Sequence, residues 1–359
     1  MIRQRLSAEV FQAVFDLVLD GLRSHGLLRG RNLGIDSSVM EANASLRGLE
    51  SRNTGEAYWE YVKRLAAEAG VEVRDAAAVR RFDRQRPGRR TSNAEWVNPH
   101  DPEAKVAQAR DGATDMLYKS QNVVDLDTGA VLHAEVRAAD QGDTEGLAEC
   151  IVATAALIGA VREECLEKRE KPAPARTETM TADKGYFSVS ELATIQAWGI
   201  KTVVSDPISN RRLDKLEAPG REAVRRTHRS ARSQYEKALL RRRGMHIECS
   251  FAHILDQGGM RRATLRGQEK LDKRYKIAAA TYNLSQLMRR LFGLGTPKQA
   301  AARLIGGCIH PLCRFLSRVC AFFGLAARFL RTYRHRPSFP GHASENCAAA
   351  QITRFSTGC

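Results

Sequence analysis

The stretch YKSQNVVDLDTGAVLHAEVRA, residues 118–138, carries the strongest strand pattern in the chain. Its second half alternates, with Leu132, Ala134 and Val136 on one side and more polar side chains on the other. Such alternation is typical of a strand that turns one face to a core. The segment Asp127-Thr128-Gly129 between the halves is a turn sequence, because Gly adopts backbone conformations that other residues resist. The stretch therefore predicts a β-hairpin.

Two shorter apolar stretches outside the hairpin each end at an aspartate. Residues 32–35 predict a buried strand that delivers Asp36 at its end, and residues 177–182 predict a strand followed by Asp183. A helix over 188–198 and a further strand over 200–204 follow. Strand, helix and strand in short succession favour parallel pairing through a right-handed crossover. The order predicts an α/β fold with a mixed sheet flanked by helices.

The segments around these strands differ in character. An amphipathic helix is predicted over residues 8–25, and another helix follows the hairpin. Residues 47–116 are polar and predict an insertion after the first strand, helical over 57–69 and irregular over 85–102. Residues 221–290 are mostly helix-forming. Residues 300–333 predict a basic amphipathic stretch, with an unstructured tail beyond 336.

The charge balance indicates a polyanionic partner. The 359 residues include 57 Lys and Arg against 41 Asp and Glu, a formal net charge of +16. Residues 201–300 alone hold 23 basic and 9 acidic side chains, so most of the excess lies there. A basic surface gains affinity for DNA by releasing counterions from phosphates. The alternative is a solvated basic face with no partner.

The cysteine pattern and the hydropathy of the chain indicate the cellular compartment of the protein. The eight cysteines include no CxxC pair and no signal peptide opens the chain, which favours free thiols in a reducing cytoplasm. The longest apolar stretch near the end, residues 319–327, lies between Arg318 and Arg328 and is too short to span a bilayer. We therefore expect no membrane partner.

Three acids form the candidate site. Two aspartates at the ends of buried strands, joined by Glu248 on a helix, could supply the oxygen ligands that Mg²⁺ prefers in phosphoryl transfer. Each acid also has a simpler interpretation. Asp36 could cap a helix, Asp183 could form an Asx turn, and Glu248 could be one charge on an exposed helical face.

Four strings together resemble the catalytic region of DDE-type insertion-sequence transposases of bacteria. They are LGIDSSVMEANASL (33–46), DPEAKVAQARDGATDMLYKSQNVVDLDTGAVLHAEVRAADQGDTEGL (101–147), MTADKGYFS (180–188) and IECSFAHILDQGGMRRATLRG (247–267). They fall in the order that the family shows, and the resemblance covers about residues 8–295. Carried over by motif, the family's three catalytic and metal-binding acids fall on Asp36, Asp183 and Glu248.

The resemblance implies a ribonuclease-H-like core and a particular chemistry. That chemistry is metal-dependent cleavage at the ends of an insertion sequence followed by DNA strand transfer, with two Mg²⁺ ions or Mn²⁺ in their place. The implied partners are element ends and target DNA, and the implied active form is a homodimer. The implied location is the cytoplasm, in association with the nucleoid. The implied division is an N-terminal helical remnant (1–30), a DDE catalytic domain (31–292, with the 47–116 insertion) and a basic, partly disordered helical tail (293–359).

Basic residues near the acids have a proposed role in binding DNA. Arg261, Arg262 and Arg266 follow the Gly258-Gly259 break, and Lys184 is next to Asp183. Solvated arginines are the alternative. Asp140 and Asp143 also match a family string, and they are expected to shape the start of the helix after the hairpin.

The chain departs from the family's pattern at three points. Cys249 stands where relatives have an Arg, Asp115 stands where they tend to have a His, and only 35 residues precede Asp36. An N-terminally truncated transposase is therefore expected. The alternatives are a catalytically inactive relic that only binds DNA, and a ribonuclease-H-like nuclease or resolvase that does not join strands.

Overall fold

The structure is a computed structural model that describes residues 6–87, 92–109, 111–208, 211–230 and 233–294, together with 318, 319 and 321. The chain divides into two compact units, residues 1–300 and residues 301–359. The predicted amphipathic stretch after residue 300 and the predicted tail lie almost wholly outside the described residues. The fold below is that of the first unit.

Within the described residues, the strands are β1 (Asn32–Glu41), β2 (Glu50–Ser51), β3 (Trp96–Val97), β4 (Lys105–Gln108), β5 (Thr114–Asp125), β6 (Val131–Ala138), β7 (Thr179–Thr181) and β8 (Lys201–Val203). The helices are α1 (Ala8–Ser24), α2 (Tyr58–Glu68), α3 (Ala76–Gln85), α4 (Leu147–Glu167), α5 (Val189–Ala197), α6 (Ala218–Ser230), α7 (Gln234–Phe251) and α8 (Gln268–Phe292).

The predicted hairpin is confirmed as β5 and β6, and it forms one side of a six-stranded mixed sheet. Antiparallel pairing joins β6 to β5 and β5 to β1, and parallel pairing joins β1 to β7 and β7 to β8. The parallel pairing expected for the last two strands is therefore also confirmed. The strand Thr114–Asp125 is longer than β6, and β4 covers the free edge of its first four residues. Residues 105–108 thus belong to the main sheet rather than to an insertion.

The prediction that β1 ends at Asp36 is wrong. The strand continues to Glu41, and Asp36 pairs with Asn122 in its interior. The reason is that β5 offers hydrogen-bonding partners along its whole length, from Leu33 opposite Asp125 to Glu41 opposite Leu117. A continuous partner strand overrides the local preference of Ser37 and Ser38 for a turn.

Helices cover both faces of the sheet. The Asn122 side chain accepts a hydrogen bond from Tyr275 of α8 and donates one to Ser250 of α7, so these two helices lie on the face that Asn122 and Asp36 share. Side chains alternate along a strand, so the neighbouring residues Ile35 and Val123 point to the opposite face. Helix α1 packs along α8. No helix in the described ranges is long and apolar enough to cross a membrane.

The segment between β1 and β4 is more ordered than its polar composition predicts. The expected helix over 57–69 is present as α2, and α3 and the β2–β3 pair are additional. An aromatic cluster holds the segment together, with Tyr58 and Trp96 ring centroids 4.9 Å apart. The Tyr58 hydroxyl donates to the buried Asp83, which also pairs with Arg86 at 2.7 Å. These few large side chains, rather than a periodic apolar pattern, form its core.

Candidate active site

Asp36 is a half-buried carboxylate in the middle of β1. Its Oδ1 accepts a hydrogen bond from the Ser37 backbone N–H at 2.8 Å, and its Oδ2 lies 2.7 Å from Nη1 of Arg243 on α7. Burial raises the pKa of Asp36 above its usual value, and the Arg243 guanidinium opposes that rise. The carboxylate is therefore in a partly dehydrated environment that is neutralised by one cation.

Asp183 lies two residues beyond the end of β7, the strand that pairs in parallel with β1. The register pairs Asn32 with Thr179 and Gly34 with Thr181, so the chain that leaves β7 continues beside the part of β1 that carries Asp36. The Asp183 charge also raises the pKa of Asp36, as expected for two nearby carboxylates. Asp183 is exposed, and its Oδ1 accepts the Lys184 N–H at 2.7 Å. Asp183 holds the N-cap position of the short 3₁₀ helix Lys184–Tyr186, so the local role is helix capping rather than the Asx turn that the sequence suggested.

Glu248 approaches from the helical layer. It is exposed in the last turn of α7, and it lines the same cleft as Asp36, Ser37 and Ser38. The close approach of α7 to β1 depends on Gly34, where a Cβ would lie 3.3 Å from Cγ of Arg243 and 2.5 Å from Cδ2 of Leu126. The lining of this cleft does not include Asp183, which reaches Asp36 from the adjoining strand.

The three carboxylates do not converge on a single point. In the part of the chain that the structure describes, the one group of three donors whose atoms all lie within 4.8 Å of one another is His133, Glu135 and Cys150, away from these acids. A two-metal site does not require such convergence, because its carboxylates are shared between two ions. All three side chains offer only oxygen ligands, which suits Mg²⁺ and Mn²⁺.

Asp143 is a site residue that sequence reasoning assigned to another role. It was expected to shape the start of α4, but Gly146 holds the N-cap position of that helix. Asp143 Oδ1 instead accepts hydrogen bonds from Ser37 Oγ at 2.8 Å and Lys119 Nζ at 3.0 Å, and all three residues line the cleft. The family string around Asp143 was the signal that could have placed it here.

Three of the basic residues proposed to bind DNA, Arg261, Arg262 and Arg266, lie around the carboxyl end of β1. The backbone of Glu41 exchanges hydrogen bonds with that of Arg261 and Ala263, which fixes the chain after the glycine break beside this strand. Arg261 lines the cleft and donates to Ser38 Oγ at 3.0 Å, and it pairs with Asp256 at 2.8 Å.

The remaining basic residues are more exposed than Arg261. Arg262 is 82% exposed and lies 3.8 Å from Glu41, and Arg266 donates to the Asn43 carbonyl at 3.2 Å. Lys184 is exposed beside Asp183. Cys249, next to Glu248, is also exposed.

Fold and cleft together define a mixed α/β protein whose sheet carries an acidic site bordered by arginines. The chain belongs to the transposase DDE domain family, whose model matches residues 81–284. The matched range contains Asp183 and Glu248, and Asp36 lies before it. Membership implies a DNA substrate, transposition-related nuclease activity and dependence on divalent metal ions. Comparison with curated proteins and with solved structures gave no significant match.

Proposed function

We propose that this protein is a DNA transposase that cleaves and transfers strands at the ends of an insertion sequence, with Asp36, Asp183 and Glu248 as its catalytic acids. The proposal is supported by two observations: Asp183 follows the strand parallel to β1 and its charge acts on Asp36, and Glu248 lines the cleft that also includes Asp36. Isolated interpretations of each acid do not account for this arrangement.

The strand order supports a ribonuclease-H-like core. Three antiparallel strands, β6, β5 and β1, are followed by two strands parallel to β1, with helices on both faces. In such a sheet the first strand is central, and the acid that it carries is flanked by the parallel strand that follows. That position suits a carboxylate shared between two ions.

The three acids would hold two Mg²⁺ ions, or Mn²⁺ in their place. Bound there, the ions would activate the attacking water or 3′-hydroxyl and stabilise the leaving oxygen. The protein's own contribution would be to hold the Asp36 and Glu248 carboxylates beside the cleft, with Asp183 next to Asp36. Arg243 supplies positive charge to Asp36, and Asp143 with Lys119 fixes Ser37 beside it.

DNA would reach the acids along the basic border of the cleft. Arg261 lines the cleft and Arg262, Arg266 and Lys184 are exposed, and these four residues would contact phosphates of the bound DNA. Such contacts position the duplex without reading its sequence. The proposed active form is a homodimer that acts on element ends and target DNA in the cytoplasm, associated with the nucleoid. The division of the chain into residues 1–30, 31–292 and 293–359 stays a prediction.

A DNA-binding relic is the second candidate function. The exposed Cys249 beside Glu248 favours it, because a guanidinium that could contact a phosphate is missing there. The two candidates differ in one observable, which is metal-dependent cleavage by the purified chain.

The test is cleavage and joining in Mg²⁺ or Mn²⁺, on supercoiled plasmid and on duplexes that carry the DNA flanking the gene. We expect Asp36→Asn, Asp183→Asn and Glu248→Gln each to lower cleavage about 100-fold or more, since each removes several kcal/mol of charge stabilisation. Glu178→Gln is the matched control, because Glu178 precedes β7 at the end away from Asp183 and pairs with Arg31.

The possible results of this cleavage assay distinguish the candidate functions. Undiminished cleavage by a variant removes that residue from the site. Salt-sensitive DNA binding with no cleavage by the unaltered chain establishes the relic, and cleavage without any joined product establishes a nuclease.

A further inference from the structure

His133, Glu135 and Cys150 bring three kinds of metal donor together outside the proposed active site. His133 and Glu135 are two residues apart on β6 and so share a face of the sheet, and Cys150 lies in the first turn of α4. One donor atom from each lies within 4.8 Å of the other two. A nitrogen, an oxygen and a sulfur donor form a set that suits Zn²⁺ and its substitute Co²⁺.

The spacing of the donors is compatible with a shared ion. His133 Nε2 is buried and has no hydrogen-bond partner, although it lies 3.4 Å from Glu135 Oε2. Two nitrogen or oxygen ligands of one tetrahedral zinc ion lie about 3.3 Å apart, given bonds of about 2.0–2.1 Å. Small side-chain rotations therefore suffice to place both atoms on one ion.

Neighbouring groups orient the carboxylate and favour a cation. Gln121 Nε2 donates to Glu135 Oε1 at 3.1 Å, which leaves Oε2 facing His133. Such a second hydrogen bond is the usual way in which a metal-binding carboxylate is held. Arg137 lies 3.9 Å from Oε1, on the side away from His133 Nε2. The adjoining groove is lined by the carboxylates of Glu103, Glu135, Glu269 and Asp272. Two ammonium groups oppose these four carboxylates, since Lys276 pairs with Asp272 and Lys273 pairs with Glu269.

This cluster is separate from the three acids. Asp36 pairs with Asn122 in the sheet, whereas His133 pairs with the next residue, Val123, so the two side chains project to opposite faces. We propose that His133, Glu135 and Cys150 bind a zinc-type ion through three protein ligands, leaving one position open toward the groove. The ion would link β6 to α4 and so restrain the loop 139–146 between them. That loop contains Asp143, which lines the cleft.

The test uses Co²⁺ as the probe on the full chain, in a phosphine reductant that does not supply a thiol. Cobalt bound to a thiolate gives an intense charge-transfer absorption in the near ultraviolet, and cobalt on carboxylates alone does not. We expect Cys150→Ser to abolish one equivalent of this absorption. Glu135→Gln and His133→Gln should weaken cobalt binding tenfold or more, with the absorption recovered at higher cobalt concentration.

Matched controls separate this site from the other thiols. Cys165→Ser alters a buried cysteine of the same helix, Cys249→Ser alters the thiol beside Glu248, and neither should change the signal. The measurements are made in a background with the five cysteines beyond residue 300 replaced by Ser, and circular dichroism checks that each variant is folded. Zn²⁺ should also raise the melting temperature of the parent and not that of Cys150→Ser.

The proposal is overturned if the parent shows no thiolate-to-cobalt absorption, or if Cys150→Ser keeps all of it. Glu248→Gln should leave the absorption intact, because its site has only oxygen ligands. Failure of the transposase proposal and failure of this one are thus independent.

Discussion

Asp36 differs from the other two acids in its exposure, since Asp183 and Glu248 face solvent and Asp36 is half-buried. A carboxylate in that position is costly to ionise unless a positive charge is near, and Arg243 supplies one at 2.7 Å. The ion pair with Arg243 offsets part of the cost of burying the charged form of Asp36.

Arg243→Gln tests this role. Burial raises the pKa of Asp36 and the guanidinium lowers it, so removing the guanidinium should raise that pKa further. A metal ligand must be ionised, so the variant should need a higher pH for the same Mg²⁺ affinity. The measurement is a carbon-13 carboxyl titration of Asp36 by NMR in metal-free protein.

Arg242→Gln is the matched control, since Arg242 is the next residue along α7 and pairs with Asp127 instead. Its carboxyl titration should match the parent's. A pKa of Asp36 that falls in Arg243→Gln would contradict the assignment.

For single residues, the sequence predicted positions along the chain better than it predicted contacts in the folded protein. Asp183 follows a buried strand as expected, and the structure brings it next to Asp36. The roles of Asp143 and Arg243 were not predicted, because each depends on a contact across more than one hundred residues of chain. No local pattern records which side chain will lie opposite another after folding.

Among the elements, predicted strand ends were less reliable than predicted strands. The hairpin and the parallel strands were found because alternation and turn residues are local signals. The extension of β1 to Glu41 and the placement of β4 were missed because both depend on the free edges of β5. In the insertion, α2 was predicted, whereas α3 and the β2–β3 pair were missed because aromatic contacts around Tyr58, rather than a periodic apolar pattern, hold the segment together.

The connection from β8 to α6 depends on one carboxylate. Asp206 forms two bonds to Arg211, at 2.8 and 2.9 Å, and lies 3.0 Å from Nε2 of His228 on α6. Burial alone would raise the pKa of Asp206, but its hydrogen bonds with Arg211, the Ile208 N–H and His228 lower it to about 2. The folded state therefore favours the ionised form.

Asp206→Asn should destabilise the protein by about 2 kcal/mol at neutral pH, as a pKa lowered by nearly two units implies. Because the folded pKa is the lower one, this stabilisation is complete above the unfolded pKa and is lost as the pH falls toward 2. Urea unfolding of parent and variant across that range measures it.

The exposed Asp214 pairs with Arg212 and provides the control, since Asp214→Asn should change stability by about 0.5 kcal/mol or less. A difference between parent and Asp206→Asn that is constant with pH would refute the electrostatic explanation.

For the whole molecule, the net charge of +16 predicts DNA binding that weakens steeply with salt. Arg261→Ala, Arg262→Ala, Arg266→Ala and Lys184→Ala should each reduce the slope of log affinity against log salt by about 0.9 for one lost phosphate contact. Fluorescence anisotropy with duplex DNA in EDTA measures the slope without cleavage.

Arg74→Ala serves as the comparison, because Arg74 is 82% exposed on the segment between β1 and β4 and pairs with Glu72. Its slope should equal the parent's. If the four variants behave like Arg74→Ala, the basic border is a solvated surface rather than a binding face.

The register between β1 and β7 has a consequence for protein synthesis. A ribosome finishes β1 long before it makes Asp183, and Glu248 follows later still. A nascent chain that stalls or is cut before that helix emerges holds at most two of the acids. Under the proposed mechanism, incomplete translation products of this gene would therefore be unable to break chromosomal DNA.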